Sequence, residues 1–574
     1  MAESFVKTDD YLEPQKYYEH GLKDLHHQNV SDRFDELTKE SKVDVGENRI
    51  TSDKYYKEKA TLDSFNKSLN GTKVGIVFMA ILAIGGGIAG IICLIAGISY
   101  SNGVLIGVGA GLIALAIVAI FLWIFVFAKK KKVLNEKIAK QQKICDDLQR
   151  QAYAQMAPLL NSIQLNEHTK LFTKSAPLIE FDDYLSSNVE ERIVKQFGEK
   201  LDGSKAHSTL VVQSGNINTN PFILRQYFAQ NMRNEVYTGH LVITYTRTVR
   251  DSDGGTRTVT VTQTLTATVT RPKPYYYVAT ELDYYTDAAP KLSFTRSPAG
   301  LSGKSDKEID RIVEKKAKEE EKKAAKALKQ GKNYTKVANS KFESYLNSEG
   351  RDNEIEYRLL FTPLAQTNFC YSFAATSPFS DDIYFSKEKC VNRISSDHDV
   401  GADYSGDISN YMHFDYEEIK KKFFNYNETF FRNVYYDMIP LLNIPLYHQH
   451  RSAPYIATGS KGAERISFYE AEVLVNKFDP KEFRPEGCDT DIILKAMPSL
   501  NNIEVHSYGF HADPRTEIVP VMGGDGRLHG VPVHYYEYLP VEDKRIVKLF
   551  NKDSNTLDNK DVSGINYRLF KAII

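Results

Sequence analysis

Two stretches without a charge, separated by five polar residues, limit what this chain can fold into more than any other feature. Residues 74–98 read VGIVFMAILAIGGGIAGIICLIAGI, and residues 104–128 read VLIGVGAGLIALAIVAIFLWIFVFA. As a helix, each is long enough to cross about 30 Å of hydrocarbon with some tilt. The link, Ser99-Tyr100-Ser101-Asn102-Gly103, is a polar turn signal. The pair predicts an antiparallel transmembrane hairpin over 73–128.

Charge sets the expected orientation. The link has no Lys or Arg, whereas Lys67 and Lys73 precede the first span and Lys129, Lys130, Lys131 and Lys132 follow the second. The positive-inside rule then places both flanks, and with them the N- and C-termini, in the cytoplasm of a multi-pass plasma-membrane protein. The lipid bilayer is the first expected partner, and the lysines suit anionic headgroups. Gly103, Gly107 and Gly111 recur every four residues, as do Gly86 and Gly90. Small residues at that spacing pack the hairpin on itself or on a second copy. Neither span holds an acidic, basic or histidine side chain, which argues against a transporter.

The remaining chain reads as water-soluble. Mean hydropathy over all 574 residues is −0.40, so the apolar hairpin is an island in polar sequence. Formal net charge is −1, which gives no whole-chain argument for nucleic acid, and none is expected as a partner. Thirty-five Tyr and thirty Phe supply material for a buried core, so global disorder is not expected. Cys93, Cys145, Cys370, Cys390 and Cys488 are odd in number and spread out, with no CxxC pair. They suggest neither a disulfide framework nor a zinc cage, and fit a reducing compartment. No signal peptide is expected in the polar first seventy residues.

The fold class expected is a two-helix transmembrane hairpin plus an α+β cytoplasmic region with antiparallel sheet. Residues 1–72 form a polar cytoplasmic segment with helical pieces and weak order. Residues 129–165 form a helical stalk, with Leu134, Ile138, Cys145, Leu148, Ala152 and Met156 in one stripe and Pro158 as its stop. That stripe suits either self-association or a helix lying on its own domain.

Residues 166–303 form a β-rich lobe. LVITYTRTVR, DSDGG and TRTVTVTQTLTATVT predict a hairpin over 241–270. Val259, Val261, Leu265, Ala267 and Val269 share its buried face, and the threonines from Thr258 to Thr270 share the other. PYYYVATELDYYT and PKLSFTRS read as further strands. Residues 304–332 hold a charged helix, with Ser305 and Glu308 as a capping box. Residues 333–574 form an α+β lobe. There EYRLLFTPL, YSFAAT, ISFYEAEVLVNKF and IEVHSYGFHA read as strands, 416–439 as a helix stopped by Pro440, and 516–539 as a hairpin turning at GGDG.

The run TQTLTATVTRPKPYYYVATELDYYTDAAPKLSFTR, residues 262–296, resembles uncharacterised two-span membrane proteins of Gram-positive bacteria and mollicutes that carry a large cytoplasmic domain. The resemblance implies a bacterial plasma membrane and carries over no functional residue.

Chemistry-bearing residues form only loose groups. His448 and His450 in YHQHR would share one face of a strand, and His506, His511 and Asp513 lie near each other in sequence. Their spacings match no metal motif. Asp397, His398 and Asp399 sit in the polar stretch SSDHD, read as a loop. GSKG (459–462) and GGDG (523–526) lack phosphate-loop spacing and read as turns. No catalytic, cofactor-binding or metal-ligating residue is assigned, and no cofactor is expected. The preferred function is a membrane-anchored cytoplasmic scaffold or binding protein for a protein partner still to be identified. Its rivals are a membrane-tethered enzyme with an unrecognised site and an oligomeric channel or secretion subunit.

Overall fold

In a computed structural model, both apolar stretches lie in helices long and apolar enough to cross a membrane. The structure describes residues 11–200, 203–250, 254–301, 303–330, 339–374, 377, 379, 381–453, 466–499, 502–550 and 571–573. Internal contacts divide the chain into two units. One takes Val30–Leu165 with Asp407–Asn427. The other takes the chain up to Asn29, Asn166–Gly406 and Glu428 onward.

The first unit is built on a pair of very long antiparallel helices. One runs Val45–Ser99, started by Asp44, whose carboxylate accepts from the Glu47 amide at 2.8 Å. Residues 45–72 of the polar segment are therefore helical and continuous with the first span. The return helix starts at Gly103, capped by Asn102, passes through a wider turn at Leu122–Ala128 and continues as Lys129–Ser162. Pro158 lies inside that helix rather than ending it.

The stalk stripe is covered by the helix Val45–Ser99 of the same chain. Leu134, Gln141, Cys145, Ala152 and Met156 are buried, and Gln141 donates to the Glu58 carbonyl at 3.2 Å. Gln155 reaches Glu47 at 3.0 Å. Within the apolar part, backbones meet at Gly90, Gly97 and Gly109. A Cβ on Gly97 would lie 2.8 Å from the Ile106 nitrogen, and one on Gly109 would lie 2.8 Å from the Leu94 nitrogen. Gly103, Gly107 and Gly111 have nothing within 4 Å of a Cβ, so that glycine row is not the packed face.

The second unit holds an eight-stranded, wholly antiparallel sheet. Its strands are β1 (Ile179–Phe181), β2 (His207–Ile217), β3 (Asn220–Arg250), β4 (Thr256–Tyr285), β5 (Ser293–Arg296), β6 (Ser348–Glu349), β7 (Ile383–Glu388) and β8 (Val391–Ser396). Their order is β1-β2-β3-β4-β8-β7-β5-β6. Alternation splits the side chains between two cores. Phe222, Leu224, Leu282, Tyr284, Phe294 and Phe385 face Phe430, Val434 and Met438 of the helix Tyr416–Leu442. Ile223, Tyr285 and Val391 face the helices Ser187–Phe197 and Phe468–Val475. A second sheet contains β9 (Ile493–Pro498), β10 (Asn502–Met522), β11 (Leu528–Phe550) and β12 (Lys571–Ile573).

Two expected strands are helices. EYRLLFTPL falls mainly in Glu354–Leu360 and the start of Pro363–Ser372, and ISFYEAEVLVNKF holds Phe468–Val475. YSFAAT overlaps only the last two residues of Pro363–Ser372, and its own last two lie outside the described residues. Each of these three helices begins at a cap: Asn353 accepts from the Glu356 amide, Thr362 from Ala365 and Ser467 from Glu470. Pro440 sits within the last turn of Tyr416–Leu442 instead of stopping it. PYYYVATELDYYT is no separate strand but the continuation of β4.

That continuation makes the β3–β4 hairpin exceptional. It pairs without slippage from Phe222 opposite Tyr284 to Arg250 opposite Thr256, in strands of 31 and 30 residues where five or six is usual. At about 3.3 Å per residue, each strand spans roughly 100 Å. A two-stranded ribbon of that length needs one face covered. The β10–β11 hairpin, paired from Asn502–Lys548 to Met522–Leu528, covers it. Ile243, Leu265, Ala267 and Val269 meet Val531 and Val533 in the seam. Gly239 allows this approach, because a Cβ there would strike the Pro532 carbonyl.

Candidate functional site

Two features of the sheet-containing unit carry functional potential: a buried histidine–carboxylate cluster, and the outer faces of the twin ribbons.

The cluster forms at the open end of the β7–β8 hairpin. Ile383 pairs with Ser396, so Asp382 and Asp397 flank the last rung, and the Asp397 amide donates to the Asp382 carbonyl at 3.2 Å. The chain then makes one tight turn, Asp397–Asp399, which turns His398 back toward Asp382. His398 Nδ1 lies 2.7 Å from Asp382 Oδ2. Its Nε2 faces Asp437 Oδ1 at 3.3 Å and Asp399 Oδ1 at 3.9 Å. Asp437 comes from the Tyr416–Leu442 helix, one turn after Asn433, whose carbonyl is 3.3 Å from the same nitrogen.

Hydroxyls and an aromatic ring complete the surroundings. Ser396 Oγ donates to Asp437 Oδ1 at 2.8 Å, and the Tyr404 hydroxyl donates to Asp399 Oδ1. Phe379 stacks on the His398 ring at 4.2 Å, and Arg432 lies over the Phe379 ring. The His398, Asp399 and Asp437 side chains are 3%, 3% and 2% exposed. Burial opposes charge on His398, but its hydrogen bonds to Asp382 and Asp437 win and lift it to about 11. Burial and the neighbouring Asp437 push the Asp399 carboxyl up. Asp399 Oδ2, Asp437 Oδ2 and Asp382 Oδ1 are buried without a hydrogen-bond partner.

Two chemistries are consistent with these distances. Ser396, His398 and Asp382 have the connectivity of a serine hydrolase relay, with Ser396 Oγ 3.3 Å from Nε2. The Ser396 proton, however, is committed to the Asp437 carboxylate and not to the imidazole. The alternative is cation binding by an imidazole nitrogen and two carboxylates.

The other histidines do not converge. His448 and His450 do not share a strand face, since His448 lies in the short helix Pro445–Gln449 and His450 follows it. His448 is buried, neither ring nitrogen has a hydrogen-bond partner, and burial pushes its pKa down to about 4. His450 pairs with Asp287, His506 with Glu504 at 2.7 Å, and His511 with Asp489 at 2.7 Å. Asp513 pairs with Arg515 at 2.9 Å. GGDG is the β10–β11 turn, with Gly526 at φ +75°. GSKG lies outside the described residues, as do the first three residues of DSDGG.

The ribbons show two different outer faces. On β3–β4, Thr238, Thr244, Thr246 and Thr248 stand among the exposed threonines of β4, with Thr248 opposite Thr258, Thr246 opposite Thr260 and Thr244 opposite Thr262. On β10–β11, the outer face near the turn carries Ile518, Pro520, Met522 and Leu528. Ile518 is 70% exposed, Met522 58% and Leu528 65%. Met522 and Leu528 are directly cross-strand.

No protein-family model, curated protein or solved structure matches this chain.

Proposed function

We propose that the chain is a membrane-anchored cytoplasmic scaffold or binding protein that captures a protein partner on the apolar outer face of β10–β11. The observation that carries this reading is the patch formed by Ile518, Met522 and Leu528. These residues belong to a face that the chain's own core does not use. Contiguous exposed apolar surface rimmed by polar residues is a mark of protein contact. Thr516 and His534, exposed cross-strand partners on the same face, provide a polar rim beside it. The anchor is the helix pair, whose apolar windows are only 11% buried, whereas a soluble core helix would be mostly covered. The lysines flanking the spans and the uncharged link favour cytoplasmic termini.

The test is crosslinking in native membranes with three versions of the full chain. They are wild type, Ile518→Glu with Leu528→Glu, and Thr262→Glu with Thr264→Glu. The expected result is a discrete crosslinked partner that falls at least about tenfold in the β10–β11 variant, one and a half kcal/mol or more of lost contact, and persists in the threonine-face variant. Equal recovery from all three overturns the reading. Orientation is checked separately with a membrane-impermeant maleimide. Tyr100→Cys should label on intact cells and Thr264→Cys only after lysis.

A further inference from the structure

We propose that His398, Asp399 and Asp437 form a binding site for one divalent first-row metal ion, manganese or zinc. The argument begins with spacing. One ligand atom from each residue lies within 4.8 Å of the others, and Nε2 stands 3.3 and 3.9 Å from the nearest oxygens of Asp437 and Asp399. An ion about 2.0–2.2 Å from each donor requires donor–donor edges of about 3–4 Å.

The tautomer is also arranged. Asp382 holds Nδ1 at 2.7 Å and keeps the N–H there, so an ion entering the cluster displaces only the other imidazolium proton, from Nε2, whose lone pair then faces Asp399 and Asp437. Metal-ligating imidazoles are oriented this way. Ser396 and Tyr404 donate to the two ligand carboxylates and fix their planes.

Independent of the spacing, two carboxylate oxygens point to a missing partner. Asp399 Oδ2 and Asp437 Oδ2 are buried with no hydroxyl or amide donor, on side chains 97% and 98% buried, and the two acids meet only by sharing a proton with each other, which an ion would replace. Leaving such atoms unpaired is costly. An imidazolium bridging the acids would not supply them, since its two N–H groups point at Asp382 Oδ2 and Asp437 Oδ1. A divalent cation would, and it would offset the excess of three carboxylates over one imidazole. The donor set narrows the choice: imidazole nitrogen selects against magnesium and calcium, and hard carboxylate oxygens select against copper(I).

The experiment uses the full chain in detergent, stripped with chelator and then dialysed against Mn²⁺, Zn²⁺, Mg²⁺ or Ca²⁺. Bound metal is counted by elemental analysis, and unfolding is followed by intrinsic fluorescence. One equivalent of Mn²⁺ or Zn²⁺ per chain is expected, with the melting midpoint raised about 3 °C at a hundredfold excess over Kd. Asp437→Asn and Asp399→Asn should each lose the ion, and Asp397→Asn, an exposed neighbour, should keep it. Should the two inner variants fail to fold, the wild-type chain still decides. Pulsed electron paramagnetic resonance of the Mn²⁺ form, or of a Co²⁺ form standing in for zinc, should show coupling to one imidazole nitrogen. No stoichiometric ion, binding retained in Asp437→Asn, or bound metal without nitrogen coupling overturns the site.

Discussion

The two ribbons are built alike and finished differently. Both are long antiparallel hairpins, both alternate apolar and polar side chains, and each presses one face on the other along Leu265, Val269, Val531 and Val533. The face turned away from the seam is mainly threonine on β3–β4, interrupted by Val236 and Val242, and isoleucine, proline, methionine and leucine near the turn of β10–β11. Shared inner chemistry follows from the pleat, since a face without water must be apolar. Outer chemistry is free to vary. Hydroxyls and β-branching satisfy a solvated strand surface, whereas exposed aliphatics bring no folding gain and need another explanation.

The comparison can be broken most severely at the seam. Val533→Asp places a carboxylate against Leu265 and Val269, and should cost about 4 kcal/mol or more. Denaturant unfolding should show either loss of the native baseline or a midpoint far below wild type. Thr264→Asp, one pleat away on the open face, should leave the midpoint nearly in place.

Acid should act on the core to which β3 and β4 are rooted, not on the ribbons. His448 has a folded pKa of about 4 against an ordinary value near 6.5. The unfolded chain therefore takes up a proton that the native chain refuses. Its contribution is intact above about pH 6.5 and lost as pH falls toward 4, a penalty of about 3 kcal/mol. Stability measured by urea between pH 7 and 4 should fall less steeply in His448→Leu than in wild type. An identical slope in the two would remove His448 from the account.

Close approach at Gly239 provides a smaller effect. Gly239→Val must push the Pro532 carbonyl aside, and should cost about 1–3 kcal/mol. Amide exchange should quicken in β11 around Val531 and Val533 while β9 is unchanged. The smallest effect sharpens the contrast between outer faces. Leu528→Thr should change stability by no more than about 0.5 kcal/mol, because Leu528 is 65% exposed, yet it should weaken partner capture.

Much of this was legible from residue order. The uncharged pair of spans and the threonine alternation each state their periodicity plainly, and the helices and β4 follow them. Extent was less legible. β4 runs on through Pro272 and Pro274 to Tyr285, past residues that ordinarily interrupt strands, and its second edge is paired to β8 only from Leu282 onward, so at the prolines that edge is free of a neighbouring strand. Glu354–Leu360 and Phe468–Val475 read as strands because short apolar runs fit both periods. The cap pairs Asn353 with Glu356 and Ser467 with Glu470 held the deciding signal.

The buried cluster was visible only as SSDHD. His398 and Asp399 stand there, but Asp382 arrives from the other strand of the hairpin and Asp437 from a helix. Pairing across a turn and packing of a helix on a sheet are not written in local spacing. One local clue did exist. Asp437 is an acid set among Val434, Tyr435, Met438 and Ile439, all buried, where an unpartnered charge would not survive.

The most direct measurement places a photo-crosslinking amino acid at position 528 in one copy and at position 264 in another, in cells, with the full chain in its membrane. The account predicts a discrete adduct to a second protein from position 528 and none from 264. Adducts from 264 alone, or only to lipid from 528, would contradict it.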